Sequence, residues 1–198
     1  SLYLNSKDVP GILTADPRLV KNPRTIERLS FSQLRELSGM GAGVFHPDAF
    51  YPVMVAGIPV AIRSTFEPKH PGTLVVPEGN EGQPSVIGIT GRTGYRLITI
   101  HRVMMNEDPG YARRVLSVLE SHGVPFEHMP TGIDSLTLVI HDSYINGDRV
   151  KIVKEIEQQC EPTKLIVHPD PIALIAVVGA SDIDSFILHR HVDHGAEG

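Results

Sequence analysis

The chain has 198 residues, 41% of them hydrophobic and 21% charged, with a formal net charge of -5. That length and balance describe one or two globular domains, while the acidic surplus excludes a surface built to neutralise a nucleic-acid backbone and no apolar run approaches the roughly 20 residues that span a bilayer. The single cysteine, Cys160, permits no internal disulfide and no charged-then-apolar leader opens the sequence, so the expected compartment is a reducing cytoplasm.

In chain order, the first patterned element follows Ser30. Phe31, Leu34, Leu37 and Met40 recur at helical spacing with Ser30 or Ser32 as N-cap, and the helix is expected to close within glycines 39–43. Residues 49–66 read as a short helix, a C-terminal Gly57 and a buried strand over 60–63. Residues 75–84, VVPEGNEGQP, mix Gly, Pro and polar residues that neither a helix nor a central strand accommodates. The boundary is placed there: a first domain over 1–74, a linker over 75–84 and a second region over 85–198.

Beyond the linker the period changes to strands around two helices. Strands are expected over 86–90 and 95–101, with the Gly91-Arg92-Thr93-Gly94 stretch as a turn between them. Tyr111, Val115, Val118 and Leu119 share one face of a helix over 110–121, which Gly123 stops. Further strands are expected over 124–129 and 135–141, then an amphipathic helix over 148–160 and strands over 164–168 and 172–179. The order strand, helix, strand, strand, helix, strand is the ferredoxin-like arrangement. In the turn before the helix at 110, unpaired N–H groups and a flexible Gly110 suit a small carboxylate ligand, while Glu107, Asp108, Glu127 and Asp134 offer acceptors for an ammonium. The same residues have a plainer role open to them. Glu107 and Asp108 complement the helix dipole, and Tyr111 and Phe126 pack in a core. Asp16-Pro17-Arg18 is likewise by itself a common turn. His189, His191 and His194 form a His-rich tail whose spacing lacks the supporting groups of a metal site, and no metal is expected there.

Several stretches taken together resemble a known family. DVPGILTADPRLV (8–20) is similar to the nucleotide-binding stretch of aspartate kinases, and RELSGMGAGVFHPDAFYPVMVAGIPVAIRSTFEPKHPGTLV (35–75) to the last helices and strand of their catalytic domain. ITGRTGYRLITIHRVMM and GYARRVLSVLESHGVPFEHMPTGIDSLTLVI look like a first ACT repeat, and EHMPTGID resembles the monofunctional, lysine-responsive group. The resemblance implies a chain of α/β and α+β class: the C-terminal part of an amino-acid-kinase α/β sandwich followed by ferredoxin-like (βαββαβ) ACT modules. It implies phosphoryl transfer from MgATP to the β-carboxylate of aspartate, at the head of lysine, threonine and methionine synthesis, under feedback control.

Residue by residue, the family pattern places Asp8 near the adenosine and Asp16, Pro17 and Arg18 in the loop beside the nucleotide. It places Met105, Asp108, Gly110, Tyr111 and Ala112 on one side of a regulatory amino-acid pocket, and Phe126, Glu127, Thr131 and Gly132 on the other, between ACT modules of paired chains. Lysine, or else threonine, is the implied effector and a homodimer or larger assembly the implied partner. Leu13 stands where the family often has tyrosine, and Gly43 in a segment where it has lysine. The Lys-Phe-Gly-Gly segment that meets the phosphates does not occur here. No catalytic residue is assigned, and the chain alone is expected to be inactive, with ATP and Mg belonging to the intact enzyme and none bound here. The last strand, IALIAVVG (172–179), runs directly into ASDIDSFILHRHV (180–192), so the second ACT repeat reads as incomplete. A free-standing regulatory subunit, or a module that only dimerises, are the alternative functions.

Overall fold

The structure is a computed structural model; it describes residues 1–39, 51–77 and 85–179, together with the backbone of 185–189. The expected helix end over residues 40–43, residues 78–84 of the linker, and the tail histidines 191 and 194 lie outside the described residues, while Val75 and Val76, expected to be linker, are corrected to the buried end of a strand over Thr73–Val76. The described residues fall into two compact units, one within Ser1–Arg92 and Leu174–Leu188, the other within Thr93–Ala173.

The first unit contains a four-stranded sheet in the order β1 (Tyr3–Lys7), β3 (Val60–Ser64), β4 (Thr73–Val76), β2 (Arg28–Ser30). β1 runs parallel to β3 and β2 to β4, while β3 and β4 are antiparallel. Helix α1 (Phe31–Leu37) starts directly from β2. Ser30 Oγ accepts from the Gln33 N–H at 3.2 Å and Gln33 Oε1 from the Ser30 N–H at 2.9 Å, a reciprocal cap that satisfies two otherwise orphan donors. Its apolar face, Phe31, Leu34 and Leu37, packs with Leu29, Val60, Ile62 and Val75 in one core. Helix α2 (Tyr51–Val55) ends at Gly57, whose φ of +63° is the left-handed C-terminal stop the sequence indicated.

The 16-residue strand β5 (Val86–His101) passes from one unit into the other. The turn expected at Gly91-Arg92-Thr93-Gly94 is therefore corrected to continuous strand. The two glycines serve close approach instead: a Cβ on Gly91 would sit 3.1 Å from the Leu174 carbonyl oxygen, and one on Gly94, at φ +90°, 3.0 Å from His141 Nε2. β5 also pairs β8 (Ile172–Gly179), which pairs β9 (Ser185–His189).

In the second unit, residues 93–101 of β5 lie between β6 (Ser135–His141) and β7 (Lys164–Val167), antiparallel to both. Helices α3 (Tyr111–Ser121) and α4 (Arg149–Cys160) bury Tyr111, Val115, Val118, Leu119, Ile152 and Ile156 against Ile98, Ile100, Leu136, Leu138 and Ile140. The strand expected over 124–129 is corrected as well. Only isolated bridges, His128 to Val139 and Thr131 to Leu136, join residues 128–131 to the edge of β6. Pro125 and Pro130 explain the loss, since neither can donate to a ladder. The spatial order, residues 128–131, then β6, β5 and β7, is still the ferredoxin-like one.

Arg96 locks one end of this sheet. Only 9% exposed, it donates from Nε and Nη2 to the Asp142 carboxylate at 2.8 and 2.6 Å, and from Nη1 to the His168 and Pro169 carbonyls at 3.2 and 2.5 Å. The guanidinium hydrogen bonds hold the Asp142 carboxyl below the usual carboxylate range.

Candidate functional sites

In the first unit a loop over residues 11–26 leaves the sheet and returns to it, and one hydroxyl fastens both its feet. Thr73 Oγ1 on β4 accepts from the Ile12 N–H at 2.8 Å and donates to the Ile26 carbonyl at 2.6 Å. Thr73 is 1% exposed, so these bonds are made in a dry interior, where leaving either group unpaired is costly. Gly11 is needed for this approach, because a Cβ there would lie 2.6 Å from Thr73 Oγ1. Higher in the loop, the Thr14 N–H donates to the Arg24 carbonyl at 2.8 Å and the Ile89 N–H to the Thr14 carbonyl at 2.8 Å.

The loop walls a cavity of about 420 Å³, lined among others by Lys7, Asp8, Gly11, Leu13, Asp16, Pro17, Arg18, Ile89 and Thr90. Asp8, Asp16, Pro17 and Arg18, which the family pattern assigned to the nucleotide, all line it. At the tip, Asp16 Oδ1 accepts from the Arg18 N–H at 2.8 Å and Arg18 Nη2 reaches Asp16 Oδ2 at 2.7 Å. These bonds, side-chain first and backbone second, hold the Asp16 carboxyl below its ordinary value. Thr73, Ile89 and Thr90 were not singled out from sequence. Thr73 is 61 residues from its partner Ile12, and no local pattern signals such a contact.

In the second unit the loop 102–110 carries a short 3-10 turn (Met105–Glu107) and leads into α3 through Gly110 at φ +81°. It is tied to residues 133–134, where the Met104 N–H donates to Asp134 Oδ1 at 2.9 Å and the Asn106 N–H to the Ile133 carbonyl at 3.1 Å. Met105, Asp108, Gly110, Tyr111 and Ala112 thus lie on one loop and helix start, with Thr131 and Gly132 close in chain to its anchor. Phe126 and Glu127 are set apart. The Glu127 N–H bonds to the Val139 carbonyl, whereas Thr131 bridges Leu136, and three residues along a strand are about 10 Å.

Tyr111 is 2% exposed, and burial pushes its hydroxyl pKa up. Asp108 Oδ2 lies 2.6 Å from Arg114 Nη2 and 3.8 Å from Arg102 Nη2. Neither arginine was anticipated at this site from sequence. A further concavity of about 640 Å³ lies between α4 and the end of β7, lined by Arg149, Lys154 and His168 among others; none of the expected effector residues lines it. Among the described residues, no group of three His, Cys, Asp or Glu side chains is arranged to hold a metal ion, and no helix is long and apolar enough to cross a membrane.

The model of the amino acid kinase family matches residues 1–64. The chain is 38% identical over 179 residues to aspartokinase 3 of Bacillus subtilis, covering 90% of this chain and 39% of that protein. The crystal structure of Clostridium acetobutylicum aspartate kinase superimposes with a TM-score of 0.83 at 44% identity, covering 90% of this chain and 41% of that one. Escherichia coli aspartokinase III, solved in complex with aspartate and ADP and again with lysine and aspartate, gives TM-scores of 0.69 and 0.70 at 29% and 27% identity, covering 87% and 89% of this chain and 38% and 39% of that protein. The chain spans about two fifths of the length of each of these relatives.

Proposed function

Because this chain belongs to the aspartokinase family, we propose that it forms part of a feedback-regulated aspartate kinase, carrying the adenosine side of the nucleotide site and an amino-acid effector site. The whole protein would transfer the γ-phosphoryl of ATP to the β-carboxylate of aspartate, giving 4-phospho-L-aspartate. The observation that carries this reading is the convergence of Asp8, Asp16, Pro17 and Arg18 on one cavity in the unit that the kinase family model covers. Leu13, Ala15, Pro17 and Ile89 supply an apolar wall for a base, and Lys7 and Arg18 are the cations beside it. That set fits an adenosine with one edge of a phosphate. It does not fit a triphosphate, whose transfer depends on a dense ring of cationic and N–H donors. Magnesium travels with the phosphates, and Asp16, engaged by Arg18, is not open to it. In this reading the passage from the kinase part to the ACT region falls within 75–84, and a reducing cytoplasm is the compartment that suits the buried thiol of Cys160.

The effector site of this proposal is the 105–112 loop and helix start with Thr131 and Gly132. A second copy of the chain would close it, since Phe126 and Glu127 stand about 10 Å along the edge from Thr131 and would serve the neighbouring pocket of a dimer. Lysine is preferred to threonine because Glu107 and Glu127, both exposed, offer carboxylates for two ammonium groups. The lysine complex of the E. coli relative supports the choice. To act, the ligand must bind one arrangement of the pair more tightly than another.

Titration calorimetry with lysine, threonine and methionine in turn tests the effector site, with heat expected for lysine. Heat with threonine alone would reverse the choice, and none with any of the three would leave dimerisation as the role of the region. Trapping of aspartyl phosphate as its hydroxamate should give no product from this chain alone; robust product would contradict the division of the nucleotide site.

A further inference from the structure

Asp108 was expected to meet the ligand's ammonium, yet its carboxylate is already engaged. Arg114 Nη2 lies 2.6 Å and Arg102 Nη2 3.8 Å from the same Oδ2. Both guanidiniums lie over the ring of Tyr111, 5.3 and 5.7 Å from its centroid, within range of the attraction between a cation and an aromatic face. Arg102 reaches further still, donating from Nη1 to the Glu161 carbonyl at 2.5 Å at the C-terminal end of α4. One carboxylate therefore gathers two cations on a buried ring, and one of those cations grips the negative end of a second helix.

Two physical consequences separate this set from a ligand-binding carboxylate. An ammonium recruited to Asp108 would have to compete with the charge-assisted bond that Arg114 already makes to it at 2.6 Å. The trio also carries two positive charges and one negative, a sum of +1, which repels an ammonium rather than attracting it. On the premise of the effector site argued above, we propose that Asp108 is a positioning residue of that site: it holds Arg102 and Arg114 on Tyr111, fixes the loop 102–110 to the start of α3 and the end of α4, and does not itself contact the ligand's ammonium.

The test is a double-mutant cycle on the whole chain with Asp108→Asn, Arg114→Gln and both together, read in two ways. Without ligand, hydrogen exchange of the Met104 and Asn106 amides should speed up in each single variant, and the double variant should be no faster than the faster single. With lysine, each single substitution should weaken binding by about tenfold, again with no further loss in the double. An Asp108→Asn variant that leaves loop exchange at the parent rate while losing lysine, with losses that add to those of Arg114→Gln, would overturn the proposal and restore direct contact. If the parent binds no amino acid, the effector reading fails, while the exchange measurement still decides whether Asp108 holds the loop.

Discussion

In the first unit the loop 11–26 is fastened at its feet by a neutral, buried hydroxyl, that of Thr73, whereas in the second the loop 102–110, besides its N–H bonds to residues 133–134, ends on a carboxylate shared between two guanidiniums that are each about a third exposed. The two anchors respond differently to their surroundings. Hydrogen bonds in a dry interior are strong and indifferent to salt. Partly exposed ion pairs are weakened by ions on a length of about 8 Å at physiological strength and by any competing charge. A loop beside a reacting nucleotide has to be held in one geometry, while a sensing loop has to be released by a few kcal/mol of ligand binding. The difference in anchoring matches that difference in proposed duty.

The largest effect expected from breaking the first anchor is that of Thr73→Val. It keeps the shape but orphans the Ile12 N–H and the Ile26 carbonyl, and at roughly 1–3 kcal/mol for each buried unpaired group the loss should be about 3 kcal/mol. Urea unfolding followed in the first unit measures it. A loss under about 1 kcal/mol would mean that water reaches both groups, and the contrast between the two loops would fall.

How much of this was legible beforehand depended on the range of each interaction. The N-cap at Ser30, the stop at Gly57, and the apolar spacing of α1 and α3 are local, and spacing within a dozen residues was enough to place them, although the reciprocal bond from Gln33 was not read. The Asp16 and Arg18 pairing, two residues apart, was likewise within reach of a turn argument. What failed were two judgements on backbone breakers. Gly91 and Gly94 carry a turn signal, but their partners Leu174 and His141 need closely approaching glycines inside a strand. A second expected strand, over 124–129, was reduced to bridges, because Pro125 inside it and Pro130 just past it lack the N–H a ladder needs. The Thr73 staple, the Arg96 to Asp142 lock across 46 residues and the arginines around Asp108 join distant segments, and one sequence carries no mark of them.

Next in size is the lock in the second unit. Arg96→Met should destabilise by about 2–3 kcal/mol, below the full range for a wholly buried pair because the Asp142 side chain is 23% exposed. Its pH dependence sharpens the comparison. Asp142 has its folded pKa depressed, chiefly by the hydrogen bonds from Arg96, so the stabilisation is present above its unfolded value near about 4 and is lost as pH falls through the folded value. The gap between parent and variant should therefore narrow as denaturation is repeated from neutral pH down to roughly pH 3. An unchanged gap would show that Arg96 acts by packing and by its carbonyl contacts rather than through the carboxylate. Thr73→Val, with no titrating group, should show the same loss at both ends of that range.

The smallest effect on stability is expected at the tip of the loop 11–26, where the first unit holds an exposed ion pair. Arg18 is 85% exposed, and its bond to Asp16 at 2.7 Å lies in water. Asp16→Asn should leave the unfolding midpoint unmoved within error, since exposed pairs are screened and offset by the entropy of ordering two side chains. The consequence should appear in binding instead. Asp16 holds the guanidinium of Arg18 along the rim of the cavity through both its oxygens, and a group so placed in advance loses less freedom when a phosphate arrives. In the intact kinase the variant should raise KM for ATP several-fold with kcat little changed, the pattern of lost uniform binding. An unchanged KM alongside a lower melting temperature would reverse the assignment, making the pair a structural turn and leaving the cavity without its proposed phosphate contact.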